Sequence, residues 1–127
     1  MKTQVTVALS VLAGFGLGAV TIQGIHAQGK PPVYTVNEIE VTNVDAYMKE
    51  FVPVVRPILD KAGSKLIAAS LKVTAIEGTA PKRVAIRVWD SVEKAQALYN
   101  SPEYKKAQEI GSKYAKFRNY AVEGLPQ

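Results

Sequence analysis

The chain has 127 residues, of which 47% are hydrophobic and 21% charged, a composition typical of one globular domain. It contains no cysteine, which excludes disulfides, thiolate nucleophiles and zinc–thiolate sites. The formal net charge is +5, and because the cations are dispersed along the chain we expect no nucleic-acid partner.

The first residues have the pattern of a secretory signal. Lys2 supplies a positive charge, 5–25 is an uncharged apolar run, and Ala27 suits a cleavage site. An uncleaved anchor is the alternative, because about 20 apolar residues can span a bilayer. We predict a signal peptide at 1–27, a linker at 28–32, and a periplasmic or secreted protein with no membrane association after cleavage.

Cleavage after Ala27 would also remove His26, the only histidine of the chain. A mature chain without histidine or cysteine excludes Ser-His-Asp triads, Cys-His pairs and metals or haems held by histidine. We therefore expect no metal and no cofactor. Any catalysis would have to come from carboxylates, Tyr, Lys, Arg, Ser or backbone groups.

The first two elements of the domain are a strand and a long helix. β-branched residues predict the strand at 33–41, with apolar side chains on both faces. The helix runs from a Thr42 or Asn43 cap to about Ala62, and its predicted buried stripe is Tyr47, Phe51, Val54, Val55, Ile58 and Ala62. Pro53 and Pro57 predict a kink or break near Val52, and Gly63 suits a left-handed C-terminal position.

Turn signals separate two further strands, predicted at 66–70 and 83–89. In the second of these, one face carries Val84, Ile86 and Val88, and the other carries Arg83, Ala85, Arg87 and Trp89. A helix capped at Asp90–Ser91 follows, and Ser101–Pro102 restarts it as a new helix. The last strand is predicted at 117–123, and 125–127 is a short tail.

This element order favours an α+β fold, a ferredoxin-like βαββαβ sandwich over 33–124 with a four-stranded antiparallel sheet and helices on one face. The other face, predicted to include Tyr34, Val36 and Trp89, would be exposed in a monomer. Exposed apolar patches of this kind commonly bind a partner. We therefore expect a homodimer in which two such faces stack into a dimeric α/β barrel.

The string AQALYNSPEY lies at 95–104, with 83–91 before it and Val122-Glu123-Gly124 after it. Through these residues the sequence resembles the bacterial family called domain of unknown function 1330. The resemblance covers 32–124 and implies the dimeric α/β-barrel fold without implying an activity. Relatives commonly carry an Arg on the second strand, where this chain has LIAAS at 66–70. The resemblance thus implies that part of any shared anion site is lost here.

The sheet face predicted to lie opposite the helices would line the inside of the barrel. Six residues on it are candidates for a ligand site: Tyr34, Glu38, Arg83, Arg87, Trp89 and Arg118. Glu40 and Tyr120 are predicted to lie nearby. A guanidinium beside an aromatic wall can bind a carboxylate or an enolate, and a poorly solvated carboxylate can act as a base. The simpler and favoured interpretation is that Glu38 and Arg87 pair within the dimer interior or at its rim.

Two functions are compatible with these residues. The favoured one is a dimer that binds a small organic acid or aromatic ligand without transforming it. The alternative is a cofactor-independent enzyme of monooxygenase or isomerase type, with Glu38 or a Tyr as base and Arg87 as anion stabiliser. The string at 99–104 is interpreted as a helix break with packed tyrosines, not as a catalytic motif.

Overall fold

The computed structural model describes residues 30–126. The predicted signal peptide at 1–27, with His26 and the cleavage site, lies outside the described residues. Within 30–126, none of the helices has the length and apolar character needed to cross a membrane.

The described residues form strands and helices in the predicted order: β1 (Val33–Val41), α1 (44–61), β2 (Lys65–Ser70), β3 (Arg83–Trp89), α2 (Val92–Tyr99), α3 (Pro102–Gly111) and β4 (Ala115–Glu123). The strands predicted at 33–41 and 83–89 are confirmed at both ends. β2 and β4 begin slightly earlier than predicted.

The four strands form one sheet in the order β2-β3-β1-β4, with all neighbours antiparallel. This topology confirms the ferredoxin-like α+β prediction. Alternate residues of β1 are buried, from Val33 to Val41, and they belong to the same hydrophobic core as side chains of the helices. The helices therefore cover one face of the sheet, and the opposite face is called the helix-free face below.

Helix α1 changes its hydrogen bonding along its length. It consists of an α turn at Val44–Ala46, a π-helical turn at Tyr47–Phe51 and an α segment at Val52–Lys61. Pro53 has no N–H to offer the carbonyl four residues earlier, so a regular α-helix is interrupted there. The break predicted near Val52 is thus a change from π to α hydrogen bonding within a continuous helix.

The π turn also explains an error in the predicted buried stripe of α1. Tyr47, Phe51, Val55 and Leu59 are buried at every fourth position, whereas Val54 is 42% exposed. A π turn holds more residues than an α turn, so the inward positions after it are shifted along the sequence. The prediction that Val54 is buried was therefore wrong.

The local signals at the helix ends are confirmed. The side chains of Asn43, Ser91 and Ser101 each accept a hydrogen bond from a backbone N–H in the first turn of the helix that follows. Gly63 has a φ of 96° directly after α1, the left-handed conformation that glycine adopts without strain.

Candidate functional site

The strand register assigns each candidate residue to one face of the sheet. In the β1–β3 ladder Thr35 lies opposite Arg87, Val33 opposite Trp89, and Ile39 opposite Arg83. Residues directly opposite each other share a face, so the three β3 residues lie on the helix-covered face. The prediction that they share the helix-free face with Tyr34 and Glu38 was wrong, because alternation within one strand leaves open how the next strand is aligned with it.

Three candidates do lie on the helix-free face: Tyr34, Glu38 and Arg118. Glu38 accepts a hydrogen bond of 2.5 Å from the Tyr120 hydroxyl and lies 3.8 Å from the Arg118 guanidinium. The hydrogen bond to Glu38 raises the pKa of Tyr120. The prediction that Glu38 pairs with Arg87 was wrong, since the two residues lie on opposite faces.

Arg87 is 3% exposed and binds the end of α1. Its Nη1 lies 2.8 Å from Asp60 Oδ1 and 3.0 Å from Ser64 Oγ. The Ser64 hydroxyl in turn donates to the Leu59 carbonyl at 2.7 Å. Arg87 therefore has an internal carboxylate partner and ties α1 to β3.

Trp89 is part of the hydrophobic core of the chain, with 2% of its surface exposed. Its indole Nε1 donates to Thr35 Oγ1 at 2.9 Å, and its ring packs 6.1 Å from that of Tyr99. The tyrosines at 99 and 104 are packed, as predicted, and the structure shows that they pack on each other, with ring centres 4.7 Å apart in an edge-to-face arrangement.

A cavity of about 430 Å³ lies between the helix-covered face of the sheet and α1, within the size range of small-molecule sites. Its mouth includes the exposed residues Met48, Arg56 and Ile67. Its aromatic wall contains Phe51 and Phe117, whose ring centres are 5.4 Å apart.

The charges lining this cavity are positive. Arg56, Arg83 and Arg87 line it, and no Asp or Glu of residues 30–126 does. Asp60 neutralises Arg87. Within the described chain, neither Arg83 nor Arg56 has a carboxylate within 4.0 Å.

Arg83 lines the cavity with a buried donor that lacks an acceptor among the described residues. Its guanidinium carbon lies 5.7 Å from the centre of the Tyr47 ring, a distance suited to a cation–π contact. Its Nε is buried and has no hydrogen-bond partner among the described residues. Because a buried donor without an acceptor is costly, this guanidinium is suited to binding an anion that enters the cavity.

A neutral polar cluster, consisting of Asn37, Tyr99, Asn119, Tyr104 and Gln108, lies beside the cationic part of the cavity. The Asn37 amide donates to Asn119 Oδ1 at 2.9 Å and to the Tyr99 hydroxyl at 3.3 Å. Asn119 donates to the Tyr104 hydroxyl at 3.5 Å, and that hydroxyl donates to Gln108 at 3.1 Å. Sequence reasoning missed this cluster, although Asn37 and Asn119 are polar residues at positions that face the helices.

The buried tyrosines remain neutral at physiological pH. Burial raises the pKa of Tyr47, against a smaller opposing effect of Arg83. Burial is also the main cause of the raised pKa of Tyr104, and the neighbouring Tyr99 is the second cause. Neither is suited to act as a base near neutral pH. Glu38, the other predicted base, lies on the helix-free face, and no group of three His, Cys, Asp or Glu residues within 30–126 is placed to bind a metal ion.

Residues 32–125 match the model of the protein family described as "Domain of unknown function (DUF1330)". No curated protein matches the chain.

Several solved structures share the fold. A protein of unknown function from Rhodopseudomonas palustris has a TM-score of 0.63 and 15% identity, covering 77% of this chain and 85% of its own. SnoaB, a cofactor-independent oxygenase from Streptomyces nogalater, has a TM-score of 0.51 and 13% identity, covering 76% and 96%. A dimeric ferredoxin-like protein of unknown function from Bacteroides fragilis has a TM-score of 0.51 and 12% identity, covering 72% and 95%. At these identities the similarity establishes the fold alone.

Proposed function

The chain belongs to the family Domain of unknown function (DUF1330), and we propose that this member binds a small aromatic acid in the cavity between its sheet and α1. The observation that carries the proposal is Arg83, a guanidinium without a carboxylate partner in the described chain whose buried Nε lacks an acceptor. A ligand carboxylate would supply that acceptor through a charge-assisted hydrogen bond.

The surroundings of Arg83 support an anionic ligand with a ring. Arg56 at the mouth adds positive potential, which favours entry of an anion. Tyr47, Phe51 and Phe117 pack at tilted angles with ring centres 5.3 to 6.4 Å apart. A flat ring can pack against such a wall by stacking or edge contacts.

Isothermal titration calorimetry with benzoate and 4-hydroxybenzoate tests the proposal. We expect both acids to bind the wild type, and Arg83→Gln to weaken binding by at least about tenfold, because it removes a charged hydrogen bond. Arg118→Gln is the matched control, since Arg118 lies on the helix-free face with a side chain 78% exposed. Thermal unfolding of both variants verifies that they fold.

Absence of binding to the wild type would overturn the proposal. Loss of binding in Arg118→Gln with normal binding in Arg83→Gln would also overturn it, and would place the site on the helix-free face.

A cofactor-independent enzyme is the second candidate. Its support is the shared fold with SnoaB, described as a cofactor-independent oxygenase, together with an arginine that could stabilise an enolate or phenolate. No carboxylate of the described residues lines the cavity to act as a base, so this candidate requires a substrate that ionises readily by itself. Oxygen uptake with polyhydroxylated aromatic acids, lost in Arg83→Gln, would favour the enzyme over the binding protein.

The proposal also includes a homodimer that forms through the helix-free face. Tyr120 and Val122 on that face are 45% and 52% exposed, and a protein of similar fold is described as dimeric. Exposed apolar surface of this kind favours association.

Export is the remaining part of the proposal, based on the composition of 1–27. Mass spectrometry of the protein from the periplasm or medium should give a chain that begins at Gln28. A mass that includes Met1 would contradict cleavage.

A further inference from the structure

We infer that the ligand of this cavity carries a hydroxyl group on the side of its ring opposite the acid group, as in 4-hydroxybenzoate. This inference rests on the proposed function, because it adds a second attachment point to the same site. Two observations support it: the unused hydrogen-bonding groups of Asn37 and Tyr99, and the register of β1 and β3.

Asn37 and Tyr99 each retain one unused hydrogen-bonding group. Both amide hydrogens of Asn37 are used, one toward Asn119 and one toward Tyr99. Within the described chain, the Asn37 side-chain carbonyl receives no hydrogen bond and the Tyr99 hydroxyl hydrogen has no acceptor. Both residues line the cavity, so an acceptor and a donor are available there side by side.

A hydroxyl group fits this pair better than other small polar groups do. It can donate to the Asn37 carbonyl and accept from the Tyr99 hydroxyl at the same time. A carboxylate or an ether could only accept, and an ammonium could only donate. Asn37 is 8% exposed, and since bulk water reaches it poorly, a matched ligand group should contribute measurably to affinity.

The strand register places Arg83 and Asn37 at neighbouring positions of the same sheet face. Arg83 lies opposite Ile39, and Asn37 is two residues along β1 on the same face. The backbones of such diagonal neighbours are roughly 7–8 Å apart, so the guanidinium and the Asn37–Tyr99 pair are two separate attachment points. A ligand that reaches both carries its acid and its hydroxyl at separate positions of the ring, and the para arrangement separates the two groups most.

The neighbouring groove between α2, α3 and β4 does not provide an equivalent site. It shares Tyr99, Tyr104 and Asn119 with the cavity, but none of its lining residues in the described chain is charged. An acid therefore has its attachment point in the cavity beside α1.

A probe series tests the inference by calorimetry at neutral pH, where all the acids are ionised. The probes are benzoate, 4-methylbenzoate, 4-methoxybenzoate, 3-hydroxybenzoate and 4-hydroxybenzoate. We expect 4-hydroxybenzoate to bind at least about tenfold more tightly than 4-methylbenzoate, because its hydroxyl pairs with two hydrogen-bonding groups that the described chain leaves unused. The methoxy probe cannot donate, and the 3-hydroxy probe places its hydroxyl elsewhere, so neither should show this gain.

Tyr99→Phe should abolish the preference for 4-hydroxybenzoate and leave the affinity for 4-methylbenzoate within about twofold. Tyr114→Phe is the control, because the Tyr114 hydroxyl donates to Glu50 away from the cavity. If Tyr99→Phe fails to fold, the probe series on the wild type still decides. Equal binding of all five acids would overturn the inference and leave the proposed function intact, whereas no binding by any of them would overturn both.

Discussion

Among the charged residues of 30–126, Arg87 is the one that is buried. Its charge is balanced by Asp60, whose side chain is 55% exposed, at 2.8 Å. Removing a buried charge from water is costly unless it is paired. The pair therefore stabilises the junction of α1 and β3, and Arg83 remains available for a ligand.

We predict that Asp60→Ala lowers the free energy of unfolding by about 1–2 kcal/mol, because it leaves Arg87 with Ser64 alone. Asp90→Ala is the matched control. It breaks the Lys94 pair, in which both side chains are more than half exposed, and should cost less than about 0.5 kcal/mol. Urea denaturation measures both free energies of unfolding. Equal losses in the two variants would show that pairing with the buried Arg87 gives Asp60 no more weight than an exposed ion pair.

The buried tyrosines predict a loss of stability in alkaline solution. Tyr47 and Tyr104 have pKa values raised above 10.0 in the folded protein, so above that pH the unfolded state loses protons that the folded state keeps. The contribution of these two tyrosines to the unfolding free energy should therefore be constant below about pH 10 and fall above it until each ionises in the folded protein, by up to about 1.4 kcal/mol per pH unit for each.

Urea denaturation at a series of pH values measures this slope. Tyr104→Phe should make the slope shallower by the contribution of one ionising tyrosine. Tyrosinate absorbance of the folded protein should show these two tyrosines ionising at a higher pH than free tyrosine does. Full ionisation of all tyrosines in the folded state near pH 10 would contradict the prediction.

Among the elements, α1 and α3 pack together beside Phe51 and Phe117, which line the cavity. The π turn of α1 places Phe51 in the core, and α3 approaches it closely at Gly111. A Cβ at Gly111 would lie 2.7 Å from Phe51 Cε1 and 3.0 Å from Phe117 Cζ. Glycine at this position thus permits the two helices and β4 to pack around the aromatic wall.

We predict that Gly111→Ala destabilises the protein by about 1–3 kcal/mol, because the added methyl overpacks the core. The same change in an open helical position would stabilise the helix by up to about 1 kcal/mol, so the sign of the effect is diagnostic. Glu109→Ala, at an exposed position of the same helix, should change stability by less than about 0.5 kcal/mol. Thermal or urea unfolding of the two variants provides the comparison.

For the molecule as a whole, the helix-free face is the side of the sheet that no helix of the described chain covers. Val36 lies at its centre, opposite Ile86 on β3 and Tyr120 on β4. Trp89 belongs to the other face and is buried within one protomer. Its fluorescence should therefore be that of a buried indole in a monomer as well as in a dimer, and cannot report association.

We predict that the wild type has the mass of two protomers in multi-angle light scattering and that Val36→Arg has the mass of one. An arginine at the centre of a stacked apolar face would bury a charge without a partner. Val54→Arg is the control, since Val54 is 42% exposed on α1, and it should remain dimeric. A wild-type mass of one protomer at micromolar concentration would contradict the dimer.

Much of the fold could be predicted because its signals are local. Asn43, Ser101 and Gly63 act on the backbone of their own helix ends, and the energetics of such caps depend little on the rest of the chain. Few sheet topologies are compatible with this order of strands and helices, and the structure has the ferredoxin-like one. Local residue patterns thus specify the helices and strands and the order in which they connect.

Which side chains share the cavity was decided only in the tertiary structure. Period-two alternation groups Arg83 with Arg87 and Trp89, but either side of β3 could have faced the helices. A shift of one residue in register moves every side chain of a strand to the other face. The packing of Trp89 and Arg87 beneath the helices selects one alternative, and this places Arg83 beside Asn37 in the cavity and leaves Glu38 outside it.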